Sequence, residues 1–271
     1  MSDVAVVALC DAVAVFPEPV EEALPAAGLV GEWVLHVHCF LVRIGGRVVL
    51  VDTGLGPPWA PGSRWLAGAA PARPSRLLAE LERVGVPAGD VTDVVLTHLH
   101  LDHVGWNVGG GADAPVPTFP NARHHVQAVE VANLRGGSPA HQRMYASHVR
   151  PLADAGLLTT VDGPATVAAG ARLWPAPGHS PGHQVLVLED GDRRLTVSGD
   201  AFVHPAQAAD PAVAYRYESD PAIAAATRRD LLRRGGLLAP AHWPATLVEV
   251  GGEMVRTVDS CPAGSGSYWP A

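Results

Sequence analysis

Short apolar stretches, bounded by glycine, proline and aspartate, recur along most of the chain, and their periods predict alternating strands and helices. Val34–Arg43 and Arg47–Asp52 are rich in β-branched residues and meet at Gly45-Gly46, which predicts a β-hairpin. After Asp52-Thr53-Gly54 comes a long segment, residues 55–74, with repeated Pro and Gly plus Trp59 and Trp65. It is too long for a simple connector, and its two Trp make it a candidate wall or lid of a substrate pocket. Ser75 then caps a helix whose Leu77, Leu78, Leu81 and Val84 share one face, and Gly85 ends it. Val91–Thr97 and Ala122–Val126 read as buried strands, and Ala128–Leu134 and Ala140–Ala155 as helices.

The second half repeats the theme. Strands are predicted at Ala171–Pro175, Val185–Glu189 and Arg194–Ser198, followed by a helix over Asp220–Arg234 with Pro221 in its first turn and Gly235-Gly236 beyond its end. Leu237–Ala241 is a short strand ending at His242, and Leu247–Val250 with Met254–Val258 forms a last hairpin. Two strand-rich blocks, each followed by helices, imply an α/β fold of two sheets flanked by helices, a four-layer αβ/βα sandwich in one domain over residues 1–271. The Gly- and Ser-rich tail, residues 262–271, is expected to fray.

Composition narrows the partners. Of 271 residues, 48% are hydrophobic, enough for a large core. The formal net charge is −8 and all basic residues are Arg, so a polyanion such as nucleic acid is a poor match. No run is long and apolar enough for a membrane span. The apolar segment Val4–Phe16 lacks a basic flank and contains Asp11, which argues against a signal peptide; Val4–Val15 could serve a homodimer instead. Cys10, Cys39 and Cys261 have no framework spacing, so three free thiols in a reducing, cytoplasmic setting are expected.

The chemistry concentrates in Thr97-His98-Leu99-His100-Leu101-Asp102-His103. Side chains on a strand repeat every two residues, so His98 and His100 leave the strand end on one side, and Asp102 and His103 follow as the chain turns. Three imidazoles and a carboxylate within six residues suit Zn, Mn or Fe. Further donors sit at later strand ends: His179 in Pro177-Gly178-His179-Ser180-Pro181-Gly182-His183, Asp200 in Ser198-Gly199-Asp200, and His242 in Pro240-Ala241-His242.

This run, with His179, Asp200 and His242 in that order, resembles the metallo-β-lactamase superfamily over roughly Val34 to His242. The resemblance implies one divalent metal ion on His98, His100 and His179, a second on Asp102, His103 and His242, and Asp200 bridging both. Zinc is the first expectation, with Mn or Fe as alternatives. It further implies that Asp52 orients a ligand imidazole and that a water shared by two metals, made acidic, attacks the substrate as hydroxide. Asp102 would shuttle a proton, His183 would support the ligand loop, and His204, four residues after Asp200, is a candidate to touch substrate or donate a proton. Phe202 and Tyr215 join Trp59 and Trp65 as pocket candidates. His36, His38, His124, His125, His141 and His148 read as structural or exposed, and Arg228, Arg229, Arg233 and Arg234 as a solvated basic face.

The substrate is bounded more loosely. Asp200 departs from the dinuclear β-lactamases, and the short chain after His242, with Arg256 as its only basic residue, departs from the glyoxalase-II-like thioesterases. The nearest resemblance is to the group holding N-acyl-homoserine lactonases and methyl-parathion-hydrolase-like enzymes. It implies hydrolysis of a small ester, lactone or related acyl compound. The alternatives are an organophosphate triester hydrolase, an acyl thioesterase of a biosynthetic pathway, a mononuclear iron sulfur dioxygenase and a non-catalytic metal-binding protein. The lactonases carry a Tyr three residues after the bridging Asp, where this chain has Val203.

Overall fold

The apolar N-terminal run is the edge strand of a six-stranded sheet. The computed structural model describes residues 4–61, 74–111, 114–251 and 254–260. In it β1 (Ala5–Val15) pairs antiparallel with β2 (Val34–Ile44), which pairs with β3 (Arg47–Val51) across the Gly45-Gly46 turn. Three parallel partners complete that sheet: β4 (Asp93–Val95), β7 (Arg123–Gln127) and β8 (Leu158–Val161), in the order β1-β2-β3-β4-β7-β8. A separate hairpin, β5 (Val108–Gly111) with β6 (Ala114–Pro117), stands after the histidine cluster.

The second sheet has seven strands. They are β9 (Ala165–Ala168), β10 (Ala171–Pro175), β11 (Gln184–Asp190), β12 (Arg193–Gly199), β13 (Gly236–Pro240), β14 (Ala245–Gly251) and β15 (Met254–Ser260). Their order is β15-β14-β13-β12-β11-β10-β9, antiparallel except for the parallel β12–β13 pair.

Side-chain alternation builds the layers. Phe40, Val42 and Ile44 of β2 meet Leu186, Leu188, Leu195 and Val197 of the second sheet in an inter-sheet core. The intervening Cys39 and Leu41 face the other way, onto Leu77 and Leu81 of one helix and Val131 and Leu134 of another. Burial on both faces is why β2 reads as a continuous apolar run rather than an alternating one. Each such side chain contributes about 1.5–3 kcal/mol by leaving water. On the far side, Leu231 of the helix Pro221–Arg234 packs on Val185, Val187, Leu238 and Val248. Asp220 caps that helix by accepting from the Ala222 and Ile223 amides. Helix, sheet, sheet and helix thus stack in four layers, the α/β sandwich expected.

Several local expectations are revised. Residues 140–155 are not one helix: Pro139–Met144 gives way to a wide turn over Tyr145–Val149 before Arg150–Asp154. Pro151 has no amide hydrogen for the carbonyl four residues earlier, so a regular ladder cannot continue through it. The strand over Val91–Thr97 shortens to Asp93–Val95, which frees the residues after it to turn. The alternating side chains of β1 are spent in this chain's own cores, Val6 and Ala8 between the sheets and Leu9 toward the helices. Asp11 is fully buried there and accepts from the amides of Leu55, Arg76 and Leu77 and from Ser75 Oγ, so it tethers the Asp52 turn to the helix Leu77–Arg83.

Arg228 is not on a solvated face. Its guanidinium is fully buried, pairs with Glu218 and donates to the carbonyls of Pro211 and Val213, holding the loop after Asp200 onto the helix. The expectation of three free thiols is also corrected. Cys10 is disulfide-bonded, with Cys39 free and buried. A disulfide depends on proximity in the fold, and an irregular, odd set of cysteines carries no spacing signal of it. Among the described residues, no helix is long and apolar enough to cross a membrane.

Candidate metal centre

Every donor of the centre stands where a strand ends and the chain turns. His98 and His100 follow β4, Asp102 and His103 occupy the single helical turn Leu101–Val104, and His179 lies between β10 and β11. Asp200 follows β12 and His242 follows β13, the two parallel neighbours of the second sheet. The turn into Asp200 needs glycine: Gly199 has φ +47°, and a Cβ there would lie 2.8 Å from both His183 Nε2 and the Thr97 side chain.

The donor atoms fall into two groups. His98, His100, His179 and Asp200 form one, and Asp102, His103 and His242 the other. Asp200 faces both: Oδ2 is 3.3 Å from His179 Nε2 and 3.8 Å from His98 Nε2, while Oδ1 is 3.0 Å from His242 Nε2 and 3.2 Å from His103 Nε2. Asp102 Oδ2 is 3.5 Å from His242 Nε2. Donors held about 2.0–2.2 Å from one tetrahedral ion are separated by roughly 3.3–3.6 Å, close to the spacings found.

The hydrogen bonds around the rings fix which nitrogen faces inward. His103 Nδ1 donates to Asp52 Oδ2 at 2.8 Å, and His242 Nδ1 donates to the His36 carbonyl at 2.7 Å, so Nε2 of each keeps its lone pair for the centre. Thr97 Oγ1 donates to Asp52 Oδ2 and turns its own lone pair toward His98 Nδ1 at 3.1 Å. His98 Nε2 is then buried with no hydrogen-bond partner, and His100 Nδ1 faces His179 Nε2 at 2.9 Å. Lone pairs converging in a buried site without protons between them need a cation, so the donor set fits divalent metal ions.

The carboxylates of the centre favour positive charge among the imidazoles. Burial alone would raise the Asp200 carboxyl, but the imidazoles of His242, His103 and His179 hold it well below the ordinary carboxylate range. Burial pushes His98 well down and works against charge on His103 too, yet the carboxylates of Asp200, Asp102 and Asp52 hold His103 well up. His183 is pushed down to about 4 by burial; its Nδ1 donates to the Ala176 carbonyl and its Nε2 accepts the Asp200 amide. It thus aims Asp200 through the backbone.

The centre forms the floor of a cavity of about 790 Å³ whose walls include Phe16, Trp33, Leu35, Val203 and Tyr215. Of the aromatic residues expected there, Tyr215 lines it, its ring stacked on His179 at 6.0 Å. Phe202 does not. It is fully buried on the turn Asp200–Phe202 and packs edge-on against Trp243, inside the core under the second sheet. Trp59 is half-buried and outside the lining, and Trp65 lies outside the described residues. His204 is also not in the lining: its Nδ1 accepts the Ala206 amide and its ring rests edge-on against Trp33. Phe16, Trp33 and Leu35 carried no signal in the sequence, because they reach the centre only through the pairing of β1 with β2.

Residues 33–242 match the family model of the metallo-beta-lactamase superfamily. The chain belongs to that superfamily. It is 33% identical over 195 residues to a probable metallo-hydrolase of Mycobacterium tuberculosis, covering 63% of this chain and 58% of the relative. It is 30% identical over 164 residues to an N-acyl homoserine lactonase of Bacillus thuringiensis, covering 57% and 59%. The chain thus spans somewhat over half the length of these curated relatives. Among solved structures, a probable metal-dependent hydrolase from Staphylococcus aureus superposes with a TM-score of 0.79 at 17% identity, covering 95% of this chain and 96% of the other. A dizinc quorum-quenching lactonase in complex with its product superposes at 0.73 with 21% identity, covering 95% of each. At these identities the superpositions speak for the fold.

Proposed function

We propose that this chain is a dinuclear metal-dependent hydrolase of a small ester, lactone or related acyl compound. The observation that carries the reading is the pair of donor groups with Asp200 facing both, at the floor of an apolar cavity. His98, His100 and His179 would hold one divalent ion, Asp102, His103 and His242 the other, and Asp200 both. When bound, such ions supply Lewis acidity toward a carbonyl oxygen and a water acidic enough to act as nucleophile near neutral pH.

The chain's own groups do the rest. Asp102 is buried at the cavity floor, placed to take a proton from the attacking water and pass it to the leaving oxygen. Tyr215 makes no hydrogen bond through its hydroxyl among the described residues. Burial, reinforced by the carboxylates of Asp200 and Asp102, holds that hydroxyl well above its ordinary value, so it stays a donor. It is placed to donate to the carbonyl oxygen as negative charge develops there, from a different loop than the one that carries Val203. Phe16, Trp33 and Leu35 give an acyl group an apolar wall and keep water from the reacting bond. The similarity to N-acyl homoserine lactonases supports an acyl substrate.

Metal content of protein purified without added metal or chelator tests the reading, followed by a panel of lactones, aryl esters, thioesters and phosphotriesters. About two equivalents of zinc or manganese and turnover of lactones or esters are expected. Chelation should abolish turnover with the far-UV circular dichroism unchanged, and added metal should restore it. One equivalent of iron, or turnover confined to phosphotriesters, would overturn it.

A further inference from the structure

A buried carboxylate that plays no part in the chemistry above links the two histidine loops of the first donor group. Glu130 lies in the first turn of the helix Ala128–Gly136 and is 2% exposed. Its Oε2 accepts the Gly182 amide at 2.7 Å and its Oε1 the Leu99 amide at 3.3 Å. Leu99 separates His98 from His100, and Gly182 immediately precedes His183 on the loop that carries His179. One side chain therefore pins the loop after β4, in the first sheet, to the loop between β10 and β11, in the second. The approach is close enough to demand glycine: a Cβ on residue 182 would lie 2.7 Å from the Glu130 amide nitrogen and 2.8 Å from its Cβ.

We infer that Glu130 is the positioning residue of the first donor group, setting the approach of His100 to His179 and favouring a cation between them. The inference rests on the reading that this group holds a metal ion. Two rings of this group, His100 and His179, have less support than those of the second, whereas His98 is held at Nδ1 by Thr97 Oγ1. His179 Nδ1 is buried with no hydrogen-bond partner, and His100 turns its Nδ1 inward toward His179. Their convergence at 2.9 Å is therefore set through the backbone, and Glu130 holds that backbone on both sides.

The test is Glu130→Gln, close in shape but neutral, so that one of the two amides loses its acceptor. Wild type and variant are loaded with zinc and dialysed against graded chelator, and the metal retained per chain is counted. The midpoint of thermal unfolding of the metal-free forms is measured beside it. The variant should lose one of two equivalents at chelator concentrations about 10- to 100-fold lower than wild type, the range for groups that hold metal ligands in place. It should keep the other equivalent, and the metal-free midpoints should be close. Glu130→Asp, charged but shorter, should recover part of the affinity. Wild-type retention in the Gln variant would overturn the inference. So would a metal-free midpoint far below that of the metal-free wild type, which would make Glu130 a packing residue. A wild-type chain that never holds two equivalents would instead overturn the dinuclear reading itself, so the two failures are distinguishable.

Discussion

The two donor groups share Asp200 but are held by different means. In the second, support is at the ring: Asp52 takes the His103 Nδ1 hydrogen and the His36 carbonyl takes that of His242. His103 stands on a helical turn and His242 on the bend just after β13, and a single hydrogen bond at Nδ1 aims each ring. In the first, His100 and His179 stand on irregular loops from opposite sheets, and support reaches them through main-chain amides bound by Glu130.

Four substitutions or conditions break or sharpen that contrast. Asp200→Asn removes the charge both groups share and should have the largest effect, cutting turnover by about 10³-fold with fewer than two metals retained. Full activity with two metals bound would refute the bridge. Tyr215→Phe leaves both groups intact and should lower kcat by about 10²-fold with metal content unchanged; an unchanged kcat would remove the hydroxyl from the reaction. Asp52→Asn presents an amide to His103 Nδ1 and should weaken metal binding about 10- to 100-fold. Asparagine also tolerates the φ of +60° at this position, so the fold should survive. If the variant matches Glu130→Gln in which equivalent it releases, the division into two separately supported groups fails.

The mildest probe is pH, read through two buried histidines, His124 and His148, that stand apart from both groups. Burial pushes His124 and His148 down to about 4 from an ordinary 6.5. As pH falls through this window the unfolded chain takes up protons that the folded chain refuses, so stability is full above about 6.5 and is lost toward 4. Each residue should cost about 2 kcal/mol by pH 5. Urea unfolding of metal-free protein at pH 7.5 and pH 5 measures it, and His124→Gln should flatten the slope. Equal stability at the two pH values would show that these imidazoles are not held neutral.

Legibility in the sequence followed locality. His98, His100, Asp102 and His103 lie within six residues, and a strand end followed by one helical turn can present them together whatever the rest of the chain does. The hairpin at Gly45-Gly46 and the helix capped by Asp220 were readable for the same reason, since each depends on a few neighbouring residues. Phe202 was misplaced because adjacency to Asp200 says nothing of direction: the turn sends Asp200 to the cavity and Phe202 to the core. Arg228 was misread because helical spacing shows which residues share a face, but not that Glu218 arrives to meet one of them.

By itself the sequence determined the donor types, their order and the alternation that yields two sheets between helices. These follow from residue chemistry and from periods of two and 3.6 residues, which act over a few positions. Only the tertiary structure added the His36 carbonyl, Glu130 and Trp33 to the surroundings of the centre and gave Asp52 and Tyr215 their partners there. Asp52, Trp33 with the His36 carbonyl, Glu130 and Tyr215 come from four separate segments. They meet because two sheets bury their apolar faces against each other and bring their strand ends to one place, a long-range packing event that no local pattern encodes.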